Sequence, residues 1–414
     1  SLVILLISLY IFLGIFFPLL SLQLSIWGSV PKTANKWLQK LKTPGFFISL
    51  TAYFLNLVNK NPSFKFIEVS NVPGVFKSHS LILLFLFIFS FFSKGILSSY
   101  KMIDKKKRIY VAGHKGLVGS AIVRSLKKKG YKNIITVNRS KLDLTNQVKV
   151  LHFLKVNKPD FIFIAAAKVG GILANSKNKA EFITQNLLIQ TNLIYGAYLS
   201  GIKDLIFLGS SCVYPKNSKQ PIKEEFLLSG KLEKTNDAYA IAKIAGIKMC
   251  QSYNDQYKTN YKCLMPTNTF GPNDEYDELD SHFFPALIKK IHNLKYNKKH
   301  SLVLWGDGTP KREVLYVDDL AEACIFFMNK KTKSSLINIG SGKDHSIRYY
   351  ARLLLRLILK NEKIKIKFDK TKPNGVRRKV LDISLAKSYG WKPKKSLEES
   401  ILNFYDSYAK EINK

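Results

Sequence analysis

A doubly wound α/β architecture is predicted by three features of the chain: an apolar run that ends in a glycine-rich turn, two further apolar runs, and helix-periodic stretches between them. The first run, Arg108 to Ala112, passes into Gly113-His114-Lys115-Gly116-Leu117-Val118-Gly119 and then into Ser120 to Lys129, whose apolar residues recur with helical spacing. The other runs are Phe161 to Ala165 and Leu205 to Gly209, with helices expected around Ala180 to Leu199 and Asp237 to Tyr257. Strands that alternate with helices pair in parallel, because each crossover returns the chain to the same end of the sheet.

The first turn reads strand, glycine loop, helix. Glycines there let the backbone approach a pyrophosphate and let helix pack on strand, while the helix N-terminus supplies amide donors and a partial positive charge. The spacing is G-x-x-G-x-x-G rather than the commoner G-x-G-x-x-G, and an ordinary βα turn is the competing use of the same residues. A Rossmann-type nucleotide fold is the expectation. The next strand, Asn133 to Val137, ends in Asn138-Arg139. A fold that binds NAD usually has an acid there for the ribose 2′-hydroxyl, whereas Arg139 favours a 2′-phosphate, so NADP(H) is expected. Lys115 offers a second cation or is a solvated loop lysine. Asp143 is placed either to meet an adenine or to build a turn.

Leu205 to Gly209 is followed by Ser210-Ser211-Cys212-Val213-Tyr214-Pro215. In an open α/β sheet, ligands bind at the carboxyl ends of strands, so a hydroxyl and a thiol at this place face the expected cleft. Tyr239 and Lys243 stand four residues apart in the helix that follows and share one face of it. A neighbouring ammonium stabilises a phenolate, so this pair is expected to lower the tyrosine pKa and make a tuned acid.

At 414 residues the chain exceeds one average domain, and 46% apolar residues suffice for a substantial core. Its formal charge is +37, yet only nine of the 66 basic residues are Arg and the Lys are scattered. That pattern argues against nucleic acid as a partner and fits a surface that attracts small anionic substrates. Cys212, Cys250, Cys263 and Cys324 show no C-x-x-C or zinc spacing, so no metal is expected and a reducing, cytoplasmic setting fits.

Composition breaks near residue 102. Residues 1–101 hold no Met, Arg, Asp or Cys, nine Lys and the single acid Glu68. Leu2 to Leu22 is apolar and long enough to span a bilayer, which takes about 20 residues; Leu81 to Ser93 is shorter. If both crossed, the Lys-bearing loop between them would prefer the cytoplasm and carry the rest of the chain to the other side, the wrong side for an enzyme fed by cytoplasmic cofactors. The first Met, Met102, directly precedes the basic run Lys105 to Arg108. The expectation is a functional protein that begins there, with residues 1–101 a fused or extraneous hydrophobic extension and membrane association through it doubtful.

Taken together, Gly113 to Gly119, Ser210, Tyr239 and Lys243 resemble the extended short-chain dehydrogenase/reductase family. More narrowly, Tyr110 to Ser120, Ala165 to Ile172, Gly209 to Pro215, Tyr239 to Lys248, Met265 to Asn268 and Trp305 to Pro310 are similar to its epimerase–reductases that turn GDP-4-keto-6-deoxy-D-mannose into GDP-L-fucose. The resemblance runs from residue 102 to about 405. It implies an NADP-binding domain over residues 102–266, a smaller α/β substrate lobe mainly within 267–414 with some segments returning to the first domain, and a homodimer through the helices near 180–199 and 237–257.

The same resemblance implies roles. The protons on carbons 3 and 5 are acidified by the 4-ketone, and inversion there needs a base and an acid on opposite faces. Cys212 and His282 match the family's positions for these two, with the assignment between them open. Ser210 and Tyr239 would hydrogen-bond and protonate the 4-carbonyl oxygen, with Lys243 lowering the tyrosine pKa and holding the nicotinamide ribose. Pro266, Thr267, Asn268 and Thr269 match the nicotinamide contact, and His282 also faces the cofactor. For the nucleotide-sugar, Lys290 and Arg312 match basic positions toward the diphosphate, Trp305 offers a flat face, and Asp382 offers an acceptor for ribose or guanine. Arg377-Arg378-Lys379 reads as a phosphate patch or a solvated loop. A 4-epimerase or 4,6-dehydratase of the same fold, and a silent membrane-attached nucleotide-binding protein, are the rival readings. A dehydratase needs an acid where Ser211-Cys212 stand, and a silent protein has no physical need to keep Ser210, Tyr239 and Lys243 together.

Overall fold

The computed structural model describes residues 104–276, 282–297, 301–360, 364–372 and 374–412, and among these ten strands and α-helices lie between residues 109 and 266. The candidate spans Leu2 to Leu22 and Leu81 to Ser93, and Met102, lie outside the described residues. The order is β1 (Ile109–Ala112), α1 (Leu117–Lys128), β2 (Ile134–Ile135), α2 (Gln147–Asn157), β3 (Phe161–Ile164), α3 (Ile172–Lys177), α4 (Lys179–Leu199), β4 (Asp204–Leu208), α5 (Asp237–Tyr257) and β5 (Asn260–Pro266). There follow β6 (Asn268–Phe270), α6 (Phe283–Asn297), β7 (Ser301–Trp305), β8 (Lys311–Tyr316), α7 (Val317–Asn329), β9 (Leu336–Ile339), β10 (Asp344–Ser346) and α8 (Ile347–Leu354). The last elements are β11 (Lys365–Asp369), β12 (Arg378–Lys379), α9 (Ser384–Ser388) and α10 (Leu397–Ile412). Among the described residues no helix is long and apolar enough to cross a membrane.

The main sheet is parallel throughout, in the order β2-β1-β3-β4-β5-β9. Alternation along its strands explains why both faces are covered. Tyr110, Ile162, Phe207 and Cys263 point to one face and pack with Val150, Leu193 and Ile247 of α2, α4 and α5. Ile109, Phe161, Ile206 and Leu264 point to the other, against Ile122 of α1 and Leu320 and Cys324 of α7. Helices on both faces of a parallel sheet are the doubly wound arrangement that the sequence predicts. One strand is shorter than expected: Asn133 to Val137 contributes only Ile134 and Ile135, because as the edge strand it pairs with β1 alone and through two residues.

From β1 the chain goes to β2 on one side and returns to β3 on the other. The crevice between their carboxyl ends is therefore the switch point where ligands enter such sheets. Past β5 the chain pivots within one residue. Thr267 donates its amide to Ile339 of β9 at 3.0 Å, and Asn268 then opens β6, which pairs with β8. β8 also pairs with β10 and β12, and β7 pairs with β11. These strands and α6, α8 and α10 enclose a third core around Phe270, Phe284, Ile288, Tyr350, Phe404 and Tyr408. β9 rejoins the parallel sheet, and an isolated bridge joins Ile222 to Leu381.

Candidate active site

The glycine turn is shaped by contacts that exclude side chains. Gly113 adopts φ +84°, and a Cβ there would lie 2.6 Å from the Ala166 amide nitrogen. A Cβ on Gly119, inside α1, would lie 2.0 Å from the Gly113 carbonyl oxygen. Gly116 differs: its nearest neighbour to a Cβ is at 3.6 Å, so the space above it is open and the residue itself is exposed. Leu117 and Val118 turn inward onto the core, whereas His114 is half-buried and Lys115 exposed. The turn thus presents backbone and the first amides of a twelve-residue helix to the crevice. Arg139 stands exposed in the turn after β2. Asp143 builds a turn, its carboxylate accepting from the amide and hydroxyl of Thr145, so the turn reading holds for it.

Ser210, Cys212, Tyr239 and Lys243 converge above β4. Gly209 packs against the Met265 side chain, whose methyl would have to move aside for a Cβ, and its amide donates to Leu264 at 2.9 Å. Ser210 then leaves the strand extended, and its hydroxyl accepts the Cys212 amide at 3.2 Å. Tyr214 anchors the turn by donating to Asn338 of β9 at 2.6 Å. On α5 the residue that sets the approach is Gly246: a Cβ there would meet the Phe207 ring at 2.6 Å. Close packing at this point aims the same helix face, one and two turns earlier, at the end of β4. Lys243 is buried there, donates to the Leu208 carbonyl at 2.8 Å, and lies over the Phe207 ring at 4.6 Å and the Tyr239 ring at 5.9 Å.

The electrostatics correct one expectation. Burial raises the Tyr239 pKa above that of a free phenol, the charge of Cys212 adds to the rise, and a hydrogen bond with Ser210 opposes it. Lys243 does not lower it, because burial pushes the lysine's own pKa down to about 7 and its ammonium is turned to Leu208. Tyr239 is therefore held as a neutral phenol that can donate.

Cys212 behaves oppositely. Burial raises its pKa, but the Lys379 charge and hydrogen bonds with Ser210, Lys379 and Asn236 bring it below the usual thiol value. The Lys379 Nζ lies 3.4 Å from the Cys212 sulfur. His282, just before α6, is exposed, yet the surrounding protein and then the Lys379 charge lower its imidazole pKa. Ser210 bonds both Cys212 and Tyr239, and the Lys379 charge acts on Cys212 and on His282.

Lys379 is the member that the sequence does not single out. In the run Arg377-Arg378-Lys379 it reads as one of several solvated cations. Strand alternation separates them: Arg378 pairs with Asp344 at 2.6 Å, and Lys379 turns to the thiol. Only the pairing of β12 with β8, two long-range residues, makes that visible. Glu313, next to Arg312 in the sequence, is buried and accepts from the amides of Gly342 at 2.6 Å and Leu381 at 2.9 Å.

The remaining expected residues fall into two groups. Pro266, Thr267, Asn268 and Thr269 form the pivot out of the main sheet. Thr267 and Asn268 both bond the Glu313 carbonyl, at 3.4 and 2.9 Å, and Thr269 bonds back to Thr267 at 3.1 Å. Trp305 ends β7 with an exposed ring, and Lys372 lies 5.8 Å from its centroid. Lys290 is half-buried on α6. Arg312 donates one guanidinium nitrogen to the Lys311 and Val376 carbonyls. Asp382 accepts the Ser384 amide at 2.8 Å, and its neighbours are Ile222 and Asn338 beside the main sheet. No contact ties it to Trp305, Arg312 or Lys290. A separate cavity of about 640 Å³ between α8 and β11, lined by Arg348, Arg352, Arg356 and Phe368, contains none of these side chains.

With this geometry established, the similarity to known proteins can be stated. A family model described as the NAD dependent epimerase/dehydratase family matches residues 109–340. A GDP-L-fucose synthase of Sinorhizobium fredii is 49% identical over 306 residues, covering 74% of this chain and 96% of that protein. GDP-L-fucose synthase 1 of Arabidopsis thaliana is 48% identical over 311 residues, covering 75% of this chain and 96% of that protein. The solved structure of a GDP-mannoheptose C4 reductase from Campylobacter jejuni with NADP bound is 35% identical, with a TM-score of 0.68, and covers 74% of this chain and 99% of that one.

Proposed function

Because the chain belongs to the NAD dependent epimerase/dehydratase family and is 48% and 49% identical to two GDP-L-fucose synthases over three quarters of its own length and 96% of theirs, we propose that it converts GDP-4-keto-6-deoxy-D-mannose to GDP-L-fucose with NADP(H). The observation that carries this reading is the convergence of Ser210, Cys212 and Tyr239 at the end of β4, with a thiol whose pKa is lowered beside a phenol whose pKa is raised and with Lys379 acting on both Cys212 and His282. A simple reductase needs only the hydroxyl pair. A thiol held near its thiolate is what an additional proton abstraction requires.

The residues present fit the cofactor. Gly113 and Gly119 leave no room for a Cβ, Gly116 leaves open space, and α1 points its amides at that space. Gly113 to Gly119 would hold the pyrophosphate, Arg139 the 2′-phosphate, and Lys243 with Pro266 to Thr269 and His282 the nicotinamide end. NADPH, when bound, supplies the hydride for carbon 4. Ser210 positions the 4-carbonyl, and Tyr239 donates its proton to the oxygen as negative charge develops there. Cys212 acts as the base at carbons 3 and 5, and His282 returns a proton on the opposite face. Residues mainly within 267–414 form the sugar-nucleotide lobe, with Trp305 as a stacking face and Lys290, Arg312 and Asp382 as polar contacts.

An apolar face on α4 and α5, with Leu188, Tyr195, Leu199, Ile241 and Tyr257 exposed, supports a homodimer through these helices. Four free thiols and a nicotinamide cofactor fit a cytoplasmic enzyme portion. The test is NADPH consumption by the purified chain given GDP-4-keto-6-deoxy-D-mannose, with the product identified. Loss of NADPH with appearance of GDP-L-fucose is the expected result; a folded protein that leaves NADPH and the GDP-sugar untouched refutes it.

A further inference from the structure

We infer that Lys379 is a positioning residue for proton abstraction: its ammonium, held against the Cys212 sulfur, keeps that thiol poised as a thiolate and so serves the epimerising half of the reaction rather than the reducing half. The inference rests on the proposed epimerase–reductase activity and adds a residue to it. The Nζ–Sγ separation is 3.4 Å, hydrogen-bond distance for sulfur. Among the described residues no carboxylate pairs with Lys379, whereas its neighbour Arg378 is paired with Asp344. An ammonium without an acid beside it and with a thiol in reach lowers its energy most by ionising that thiol.

The lysine is delivered by constrained backbone. Lys379 pairs with Arg312 in the sheet, the Val380 amide donates to Gln220 at 2.9 Å, and the Leu381 amide donates to buried Glu313 at 2.9 Å. Other groups around the thiol come from every side: the Ser210 hydroxyl from its own turn, Asn236 and Tyr239 from the start of α5, and His282 from the head of α6 beside Lys379. Lys243, deeper on α5, is turned to Leu208. Lys379 is thus the cation that acts on Cys212.

The step balances without a further reagent. The Cys212 thiolate takes the proton from carbon 3 or 5, and the C–H electron pair passes to the carbonyl oxygen on carbon 4 as an enolate. Protonation of that carbon by His282 on the other face restores the ketone. The cysteine then loses its proton to water and the histidine regains one.

Alkylation of the full chain by iodoacetamide across pH 5–10, read at each cysteine by peptide mass spectrometry, tests the relation without substrate. Cys250, Cys263 and Cys324 are buried, so their protection reports that a variant is folded. Lys379→Met should raise the midpoint of Cys212 labelling by about one pH unit or more, and Lys379→Arg should keep it near the wild-type value; Lys379→Gln provides a second neutral variant should Met disturb the packing. Equal midpoints in the wild type and a folded neutral variant overturn the inference. Solvent deuterium uptake at carbons 3 and 5 should fall about tenfold in Lys379→Met with KM little changed; a raised KM with an unmoved thiol midpoint would make Lys379 a substrate anchor and equally overturn it. Deuterium uptake by the wild type judges the GDP-sugar reading separately, since the thiol titration holds or fails without it.

Discussion

The Lys243 ammonium donates a 2.8 Å hydrogen bond to the carbonyl oxygen of Leu208, the last residue of β4, one helical turn from Tyr239. One neutral acceptor does not replace the hydration of a buried ammonium, which is why burial brings the pKa down to about 7. An unfolded lysine keeps its proton to about pH 10.4, so between these values the unfolded chain binds the extra proton. Stability contributed by this site is therefore present above the unfolded pKa and is lost as pH falls toward about 7. Lys243→Met should flatten that rise by up to about 4 kcal/mol between pH 7 and 10, measured as the difference in urea unfolding between variant and wild type. Parallel curves for the two proteins would remove the buried-lysine account.

Gly116 and Gly119 separate cofactor binding from folding. Gly119→Ala drives a methyl into the Gly113 carbonyl, a backbone atom that cannot move aside, and should cost about 3 kcal/mol. Gly116 has a φ of −75° and open space, so Gly116→Ala should change stability by under about 1 kcal/mol. It should nevertheless weaken NADPH binding, because the methyl occupies the approach to the helix amides. Thermal unfolding with and without NADPH distinguishes the two; an unchanged affinity in Gly116→Ala would move the pyrophosphate away from this turn.

Strand and helix alternation was enough to expect a parallel sheet, because the runs of β1, β3 and β4 lie between two helical layers and are apolar on both faces, whereas β5, with buried Lys262, and β9 were not read as strands. The face shared by Tyr239 and Lys243 was equally legible, since spacing alone sets it. The direction of the tyrosine pKa was not. It depends on how deeply α5 packs against β4, which Gly246 and Phe207 decide across nearly 40 residues of sequence. Lys379 was hidden for a related reason: a two-residue strand has no periodicity to read, and which of its side chains faces the thiol follows only from pairing with β8. Arg312 and Asp382 carry the residue types for ligand contacts, but residue type says nothing of carbonyls or helix amides that already engage them.

Hydroxyl and thiol should divide the reaction. Tyr239→Phe removes the proton donor for the 4-oxygen and should reduce NADPH oxidation by about 10²- to 10⁴-fold, while solvent deuterium still enters carbons 3 and 5. Cys212→Ser should chiefly abolish that exchange. NMR of the recovered sugar nucleotide reads both, and loss of exchange in Tyr239→Phe would contradict separate roles.

Arg139 is exposed in the turn after β2, and we propose that it meets the 2′-phosphate of NADPH. Arg139→Ala should narrow the kcat/KM preference for NADPH over NADH by about tenfold, the size of one lost charge-assisted hydrogen bond. An unaltered ratio would place the phosphate contact on another residue, with Lys115 next to be changed.

Glu313 fixes the segment that carries Lys379. It is fully buried, and its carboxylate accepts the amides of Gly342 and Leu381 while burial pushes its pKa up to about 7. The folded pKa is above the unfolded one, so the stability linked to this proton is complete below the unfolded value and is lost as pH rises through about 7. Glu313→Ala should therefore destabilise more at pH 5 than at pH 8, by a difference of about 3 kcal/mol at most. Because Leu381 lies two residues beyond Lys379, freeing its amide should also loosen the lysine and raise the pH midpoint of Cys212 alkylation. Urea unfolding at the two pH values and the alkylation profile measure these effects independently. A destabilised variant whose thiol midpoint stays in place would show that β12 holds Lys379 through its pairing with β8 alone.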